Sequence, residues 1–411
     1  MRSEWPVTFL GTLLRPVTTV ARDLSVSELA GAPVLSLTKN NGLIPQSERF
    51  NHRVARADTS AYKVVRKNWI VYNPYVLWEG AIFTLLDRPL GLVSPVYQVW
   101  EVPGSDVGFL DLLLRTPRLL AEYYRLSSGV VQRRRSISPT AFLGIQIPLP
   151  PLQEQRTITE LVARARASLD TRRRELVLER ECKAALLQHL FTYGARGEPT
   201  KLTRIGHRPK SWTVQTLSDV ARIERGKFSH RPRNDPRFYG GTTPFVQTGD
   251  VATSGGRIRS FTQTLNERGL SVSRVFARGT ILITIAANIG YTGILDFDSA
   301  LPDSLIGITP KDCVSNEYLN YYLTTQQPEM DRLAPRGTQK NINIEFLVPW
   351  PVPVPRLDEQ SEIVAILAAC DEKIAILERE IALYDELFRA LLEEVMSGRL
   401  SIAPLLENEA A

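Results

Sequence analysis

Leu152-Gln153-Glu154-Gln155-Arg156-Thr157-Ile158 returns 205 residues later, without a gap, as Leu357-Asp358-Glu359-Gln360-Ser361-Glu362-Ile363. Each copy follows a proline run: Pro148, Pro150 and Pro151 in the first, Pro349, Pro351, Pro353 and Pro355 in the second. Each then opens a long proline-free stretch of helical character, ending near Phe191 and Met396. A repeat on this scale is one structural unit built twice. The likeness extends outward from it. Trp5 and Leu10 recur at equal spacing as Trp212 and Leu217, and Ile137-Ser138 aligns with Ile342-Asn343 under the same shift. Between these ends the two segments differ.

The second proline-free stretch carries Ile363, Leu367, Cys370, Ile374, Leu377, Ile381, Tyr384, Phe388, Leu391 and Val395 in alternating steps of four and three. That is a coiled-coil seam. Shifting back by the repeat gives Ile158, Val162, Ala165, Leu169, Arg172, Leu176, Glu179, Lys183, Leu186 and Leu190, apolar at the ends and polar in the middle. The expected contacts are therefore Ile158, Val162, Leu169, Leu176, Leu186 and Leu190 against Ile363, Leu367, Ile374, Leu377, Ile381, Tyr384, Phe388 and Leu391. The first helix has 8 basic and 6 acidic residues over 151–191, the second 4 and 11 over 356–397, so their charges favour pairing. The first helix leads into the segment that the second one leaves, so a pair must run antiparallel.

The expected fold is mixed, α+β: two globular α/β domains separated by an antiparallel coiled coil of two long helices, with pseudo-twofold symmetry. Residues 1–150 form the first domain and 151–191 the first helix. Residues 192–211 are a polar connector rich in Gly and Pro. Residues 212–350 form the second domain, 351–397 the second helix and 398–411 a tail. Within the domains, Trp69–Tyr72, Val96–Trp100 and Thr280–Ile285 read as strands and 107–126 as a helix.

Composition narrows the class. The chain has 411 residues, 43% apolar and 23% charged, which is ordinary for globular proteins. No apolar run is long enough to cross a bilayer, the N-terminus lacks a signal pattern, and there are only 3 cysteines. A cytoplasmic, reduced protein without membrane contact, disulfide framework or metal site is expected. Residues 1–355 hold 45 Lys and Arg against 31 Asp and Glu, whereas 356–411 hold 5 against 13. The basic excess lies in the body of the chain, which suits a polyanion such as nucleic acid.

A proline lead, Leu-x-Glu-Gln-x-x-Ile and a heptad helix, repeated at this interval, resemble the conserved regions of type I restriction–modification specificity subunits. Arg225-Gly-Lys-Phe228, Arg231–Gly241, Phe245–Asp250 and Gly279–Gly290 look like one class of their target-recognition domains. Val34–Thr38, Gly42–Pro45 and Ser94-Pro95 are similar to another. The resemblance covers essentially the whole chain. It implies a non-catalytic subunit in which each domain reads one half of a bipartite, asymmetric double-stranded DNA target. It also implies that the helices set the spacing and dock two modification (methyltransferase) subunits, which restriction/translocase subunits join. S-adenosylmethionine, ATP and Mg are then expected on partner subunits, with no cofactor on this chain.

DNA binding needs cations for phosphates and planar or amide groups for base edges. The segment Arg222–Arg237 is read as a basic loop, with Arg225, Lys227, Arg231, Arg233, Asn234 and Arg237 as contacts. Gln247 and Thr248 precede a turn signal, Arg257 and Arg259 flank Ile258 on one side of a strand, and Asn288 follows an apolar strand. Arg336, Gln339 and Lys340 precede the second proline run, as Arg133, Arg134 and Arg135 precede the first. Lys39, Asn40, Asn41 and Asn73 are candidates by loop placement. Plain solvated charge or turn capping is the alternative at each position. Enzyme readings fail on the residues: Asn73-Pro74-Tyr75 lacks the second proline of the amino-methyltransferase signature and a glycine-rich cofactor loop. Pro302-Asp303 and Asp371-Glu372-Lys373 hold the letters of a nuclease site, but the latter lie on the heptad helix. There is no phosphate loop and no metal-ligand histidine spacing.

Overall fold

The computed structural model describes residues 5–39, 41–49, 58–128, 135–286, 288–335 and 340–399. The chain divides into two compact units, Met1–Arg172 with Glu380–Ala411, and Arg173–Arg379. Both long helices, Leu152–Tyr193 and Leu357–Met396, are shared between them.

In the first unit a four-stranded antiparallel sheet has the order Arg15–Pro16, Gln98–Glu101, Ile70–Tyr72, Ile82–Thr84. Successive side chains of a strand face opposite sides. Ile70, Tyr72 and Trp100 accordingly pack into one apolar cluster with Phe109, Tyr123 and Phe142, while Val71, Phe83 and Val99 pack into another with Leu35 and Val65. The helix expected over 107–126 is two helices, Val107–Leu113 and Pro117–Leu126. Pro117 ends the first, because it has no amide hydrogen to continue the ladder, and it opens the second at a position where none is needed.

The second unit is built on a five-stranded sheet ordered Ala221–Arg225, Leu305–Pro310, Ile281–Thr284, Thr292–Leu295, Arg257–Ile258. Ile281–Thr284 is central and fully buried. Ile281 and Ile283 face a cluster with Tyr318 and Tyr322, and Leu282 faces one with Val246 and Leu305. A second sheet runs Gln263–Leu265, Tyr239–Phe245, Ser299–Ala300, Val275–Phe276. The connector expected over 192–211 contains a hairpin, Thr200–Thr203 with Gly206–Pro209. Arg222–Arg225 belongs to a strand and not to a loop, its backbone being paired with Ile306–Thr309; the loop begins at Gly226.

The repeated motif does the same work in each unit. Trp5 donates its indole N–H to Glu154 Oε1 at 3.1 Å, and the buried Trp212 donates to Glu359 Oε2 at 2.9 Å. Gln155 Oε1 accepts from Asp106 N (2.9 Å) and its Nε2 donates to Pro150 O (2.8 Å). Gln360 Oε1 accepts from Ser315 N (2.9 Å), and its Nε2 donates to Cys313 O (2.9 Å) and Pro355 O (3.0 Å). Asp106 and Ser315 each cap a helix. Buried amides must be paired, so one Glu-Gln pair ties a long helix to an indole, a proline run and a neighbouring helix start. The frame closes by strand pairing, Val7–Phe9 with Gln146–Pro148 and Thr213–Thr216 with Pro351–Val354. Ser138 and Asn343 again occupy like places, each capping a short helix after a buried isoleucine, Ile137 and Ile342.

The long helices run antiparallel within each unit. In the second, Arg196 meets Glu362 at 2.8 Å, Lys183 bonds Asp371, Lys373 bonds Glu179, and Arg180 meets Glu378 at 2.6 Å. In the first, Arg172 lies 3.5 Å from Glu380, and Arg166 sits over the Phe388 ring. Rising numbers on one helix meet falling numbers on the other. Ile158, Val162, Leu169, Leu190, Ile363, Leu367 and Leu377 are buried. Leu176, Leu186, Ile374, Ile381, Phe388 and Leu391 are half-buried. Tyr384 departs from the expected seam and is 39% exposed.

Candidate DNA interface

Three segments meet at one end of the five-stranded sheet. Arg225 is opposite Ile306, Ile283 is opposite Ile306, and Thr284 is opposite Leu305. The chain leaving Arg225, the chain leaving Thr284 and the turn entering Leu305 are therefore neighbours. Gly226 N donates to Leu305 O and Lys227 N to Leu301 O, both at 2.9 Å, and Ile285 N donates to Ser304 O at 3.3 Å. A Cβ on Gly226 would lie 2.2 Å from Pro302 O, so only glycine lets the strand pass this turn.

The loop beyond Gly226 is fixed by aromatics. Phe228 is buried against Tyr239 and Phe245, and His230 stacks on Phe238 at 3.9 Å and meets Asp235 at 3.0 Å. Its arginines are organised by two carboxylates. Arg225 Nε donates to Asp303 O at 2.7 Å, Arg231 Nη2 to Asp303 Oδ2 at 2.9 Å, and Arg233 Nη2 to Asp303 Oδ1. Arg231 Nη1 also donates to Phe228 O (2.6 Å) and His230 O (2.8 Å). Arg237 donates to Asp235, and that bond, more than any other influence, holds the Asp235 carboxyl well below the usual carboxylate range. The side chains of Arg231 and Arg233 remain 51% and 49% exposed, so donors are left facing solvent. Arg231, Arg233 and Arg237 thus bond two acids, Arg225 bonds the Asp303 carbonyl, and Lys227 is exposed on the same loop. A guanidinium fork held in a fixed plane suits the edge of guanine or a phosphate.

Exposed Asn288 lies at the same end of the sheet, its carbonyl accepting from Thr284 Oγ1. Lys340 comes near through the Ala286–Asn341 bridge and pairs with Asp331 at 2.8 Å. Asn234 is exposed on the loop. Gln247 and Thr248 start the short helix Thr248–Ala252, where Gln247 N donates to Asp250 Oδ2 at 2.8 Å in a capping role. Arg257 and Arg259 are not brought together with the loop. Arg257 is level with Ile294, towards the opposite end of the sheet, and bonds Asp296 (2.7 Å) and Glu317 (2.8 Å), while Arg259 lies 3.5 Å from Asp296. Carboxylates already engage both.

In the first unit, Lys39 pairs with Glu79, and Asn73 Oδ1 accepts from Tyr75 N at 3.1 Å in a local turn. Arg135 donates to Ser127 O at 2.9 Å and lies over the Tyr124 ring, which meets Trp78 edge-on. Asn41 is exposed. Asn40, Arg133, Arg134, Arg336 and Gln339 lie outside the described residues. Asp303 is the residue that sequence reasoning missed as an organiser. Its arginine partners lie some seventy residues away, at |i−j| of 72 and 70, with no spacing signal to join them. Among the described residues no helix is long and apolar enough to cross a membrane, and no group of three His, Cys, Asp or Glu could hold a metal.

Residues 209–383 match the model of the type I restriction modification DNA specificity domain. The chain is 25% identical over 269 residues to the putative type I restriction enzyme MjaX specificity subunit of Methanocaldococcus jannaschii, covering 65% of this chain and 62% of that protein. It is 29% identical over 182 residues to the MjaIX specificity subunit of the same organism, covering 42% and 41%. These matches span less than two thirds of the relatives' length. In fold the chain is similar to the HsdS subunit from Thermoanaerobacter tengcongensis, with 19% identity, TM-score 0.53 and coverage of 97% of this chain and 98% of that one. It is also similar to the S subunit of the type I restriction-modification system from M. genitalium, with 14% identity, TM-score 0.55 and coverage of 95% and 96%.

Proposed function

We propose that this chain, which matches the type I restriction modification DNA specificity domain over residues 209–383 and is similar to type I specificity subunits, is the non-catalytic DNA-recognition subunit of such a complex. Each globular domain reads one half of a bipartite, asymmetric duplex target. The paired helices set the distance between the halves and dock two modification subunits, to which restriction subunits add. S-adenosylmethionine, ATP and Mg belong to those partners, and this chain contributes position and sequence choice.

The observation that carries this reading is the gathering of Arg225, Arg231 and Arg233 on Asp303 at one end of the central sheet, inside the stretch that matches the specificity domain. Held forks read base edges, and neighbouring cations anchor the backbone. The test is selection from a pool of randomised duplexes by the full chain bound to its modification subunit. Two short motifs at a fixed gap are expected to be enriched. One contiguous motif, or none, contradicts the proposal, and the chain would then act as a scaffold only.

A further inference from the structure

The turn Leu301–Ser304 holds the reading loop through one side chain. Asp303 accepts Arg231 on one carboxylate oxygen and Arg233 on the other, while its carbonyl accepts Arg225. The same turn binds the backbone of Lys227 through Leu301 O and that of Ile285 through Ser304 O, and Leu305 O, where the next strand begins, binds that of Gly226. The Asp303 side chain is 29% exposed, between two guanidiniums that are about half exposed.

From this we propose that Asp303 is the positioning residue for base readout by the second domain, fixing the planes in which Arg231 and Arg233 present their remaining donors; the inference rests on the DNA-reading function proposed above. A carboxylate beside approaching DNA lowers the attraction of the loop for phosphates in general. It also removes rotamer freedom from two long side chains before the duplex arrives, so less is lost on binding. Both effects trade bulk affinity for choice of base. Arginines meant only to grip a backbone would be better left without an acid between them, since phosphate contacts carry no sequence information.

The experiment compares the full chain with its Asp303→Asn, Asp303→Glu, Arg231→Ala/Arg233→Ala and triply substituted forms. Each is bound to the modification subunit and tested by randomised-duplex selection and by salt titration of binding to a non-target duplex. Asp303→Asn should bind the non-target duplex at least as well, with a log–log salt slope steeper by about one unit for the charge removed. At the positions read by the second domain its base preference should fall about ten-fold or more, the discrimination that a bidentate pair supplies. Asp303→Glu, which keeps the charge one methylene farther out, should recover part of the preference. In the Arg231→Ala/Arg233→Ala background, Asp303→Asn should change base preference no further, while the salt slope still shifts with the charge removed. Unaltered preferences in a folded Asp303→Asn chain overturn the inference, as does an equal loss in the background lacking both arginines. If Asp303→Asn fails to fold, Asp303→Glu alone decides, and wild-type preferences in it overturn the inference. A wild-type chain that enriches no sequence removes the DNA-reading function itself, which is a different failure.

Discussion

At the scale of the residue, the loop after the first strand of the central sheet is where chemistry concentrates. Replacing Arg231 and Arg233 with Ala should weaken target binding by about 1–3 kcal/mol for each base edge that is no longer read. Methylation of both half-sites at wild-type levels in cells would make those arginines surface decoration. Gly226→Ala is a sharper test of geometry, because its Cβ would meet Pro302 O at 2.2 Å and backbone must move. The expected cost is about 1–3 kcal/mol, the range for overpacking, read as a lowered midpoint in denaturant unfolding; an unchanged midpoint would mean that the strand exit is not pinned to the turn. Much at this scale was hidden in the sequence. The basic run from Arg225 to Arg237 was visible as charge, but Asp303, which orders it, is brought in only by the neighbouring strand. Arg257 and Arg259 looked equally suited to phosphates, yet Asp296 and Glu317 stand beside them through tertiary placement alone.

At the scale of the element, the repeated Glu-Gln pair explains why the motif occurs twice. Truncating Gln360 to Ala would leave Ser315 N–H and the carbonyls of Cys313 and Pro355 without their partner. Buried groups left unpaired cost about 1–3 kcal/mol each at most, so Gln360→Ala should markedly lower the unfolding midpoint. Gln155→Ala, which frees Asp106 N–H and Pro150 O, should lower it less. Equal midpoints for both variants and the wild type would reduce the motif to surface likeness. Here the sequence was more informative. The heptad steps, the proline runs and the paired Trp5 and Trp212 are set by local periodicity and by self-similarity, so they can be read without knowing the fold. The break before Pro117 and the hairpin Thr200–Thr203 with Gly206–Pro209 were less legible. Each depends on turn chemistry that a composition reading averages away.

At the scale of the whole molecule, the direct repeat implied two framed domains and two helices, and the structure has two compact units that share both long helices. What each domain recognises could not be read, because base choice depends on loop geometry and on the deformability of the DNA. The central claim is that the helices act as a ruler between two independent readers. It is tested most directly by inserting one heptad into both helices at matched positions and sequencing the methylome of cells carrying the altered chain. Seven residues add about 10 Å of helix, so the gap should lengthen by up to about three base pairs at about 3.4 Å each, with both half-site sequences retained. Methylation at the original spacing, or at altered half-sites, would contradict the claim.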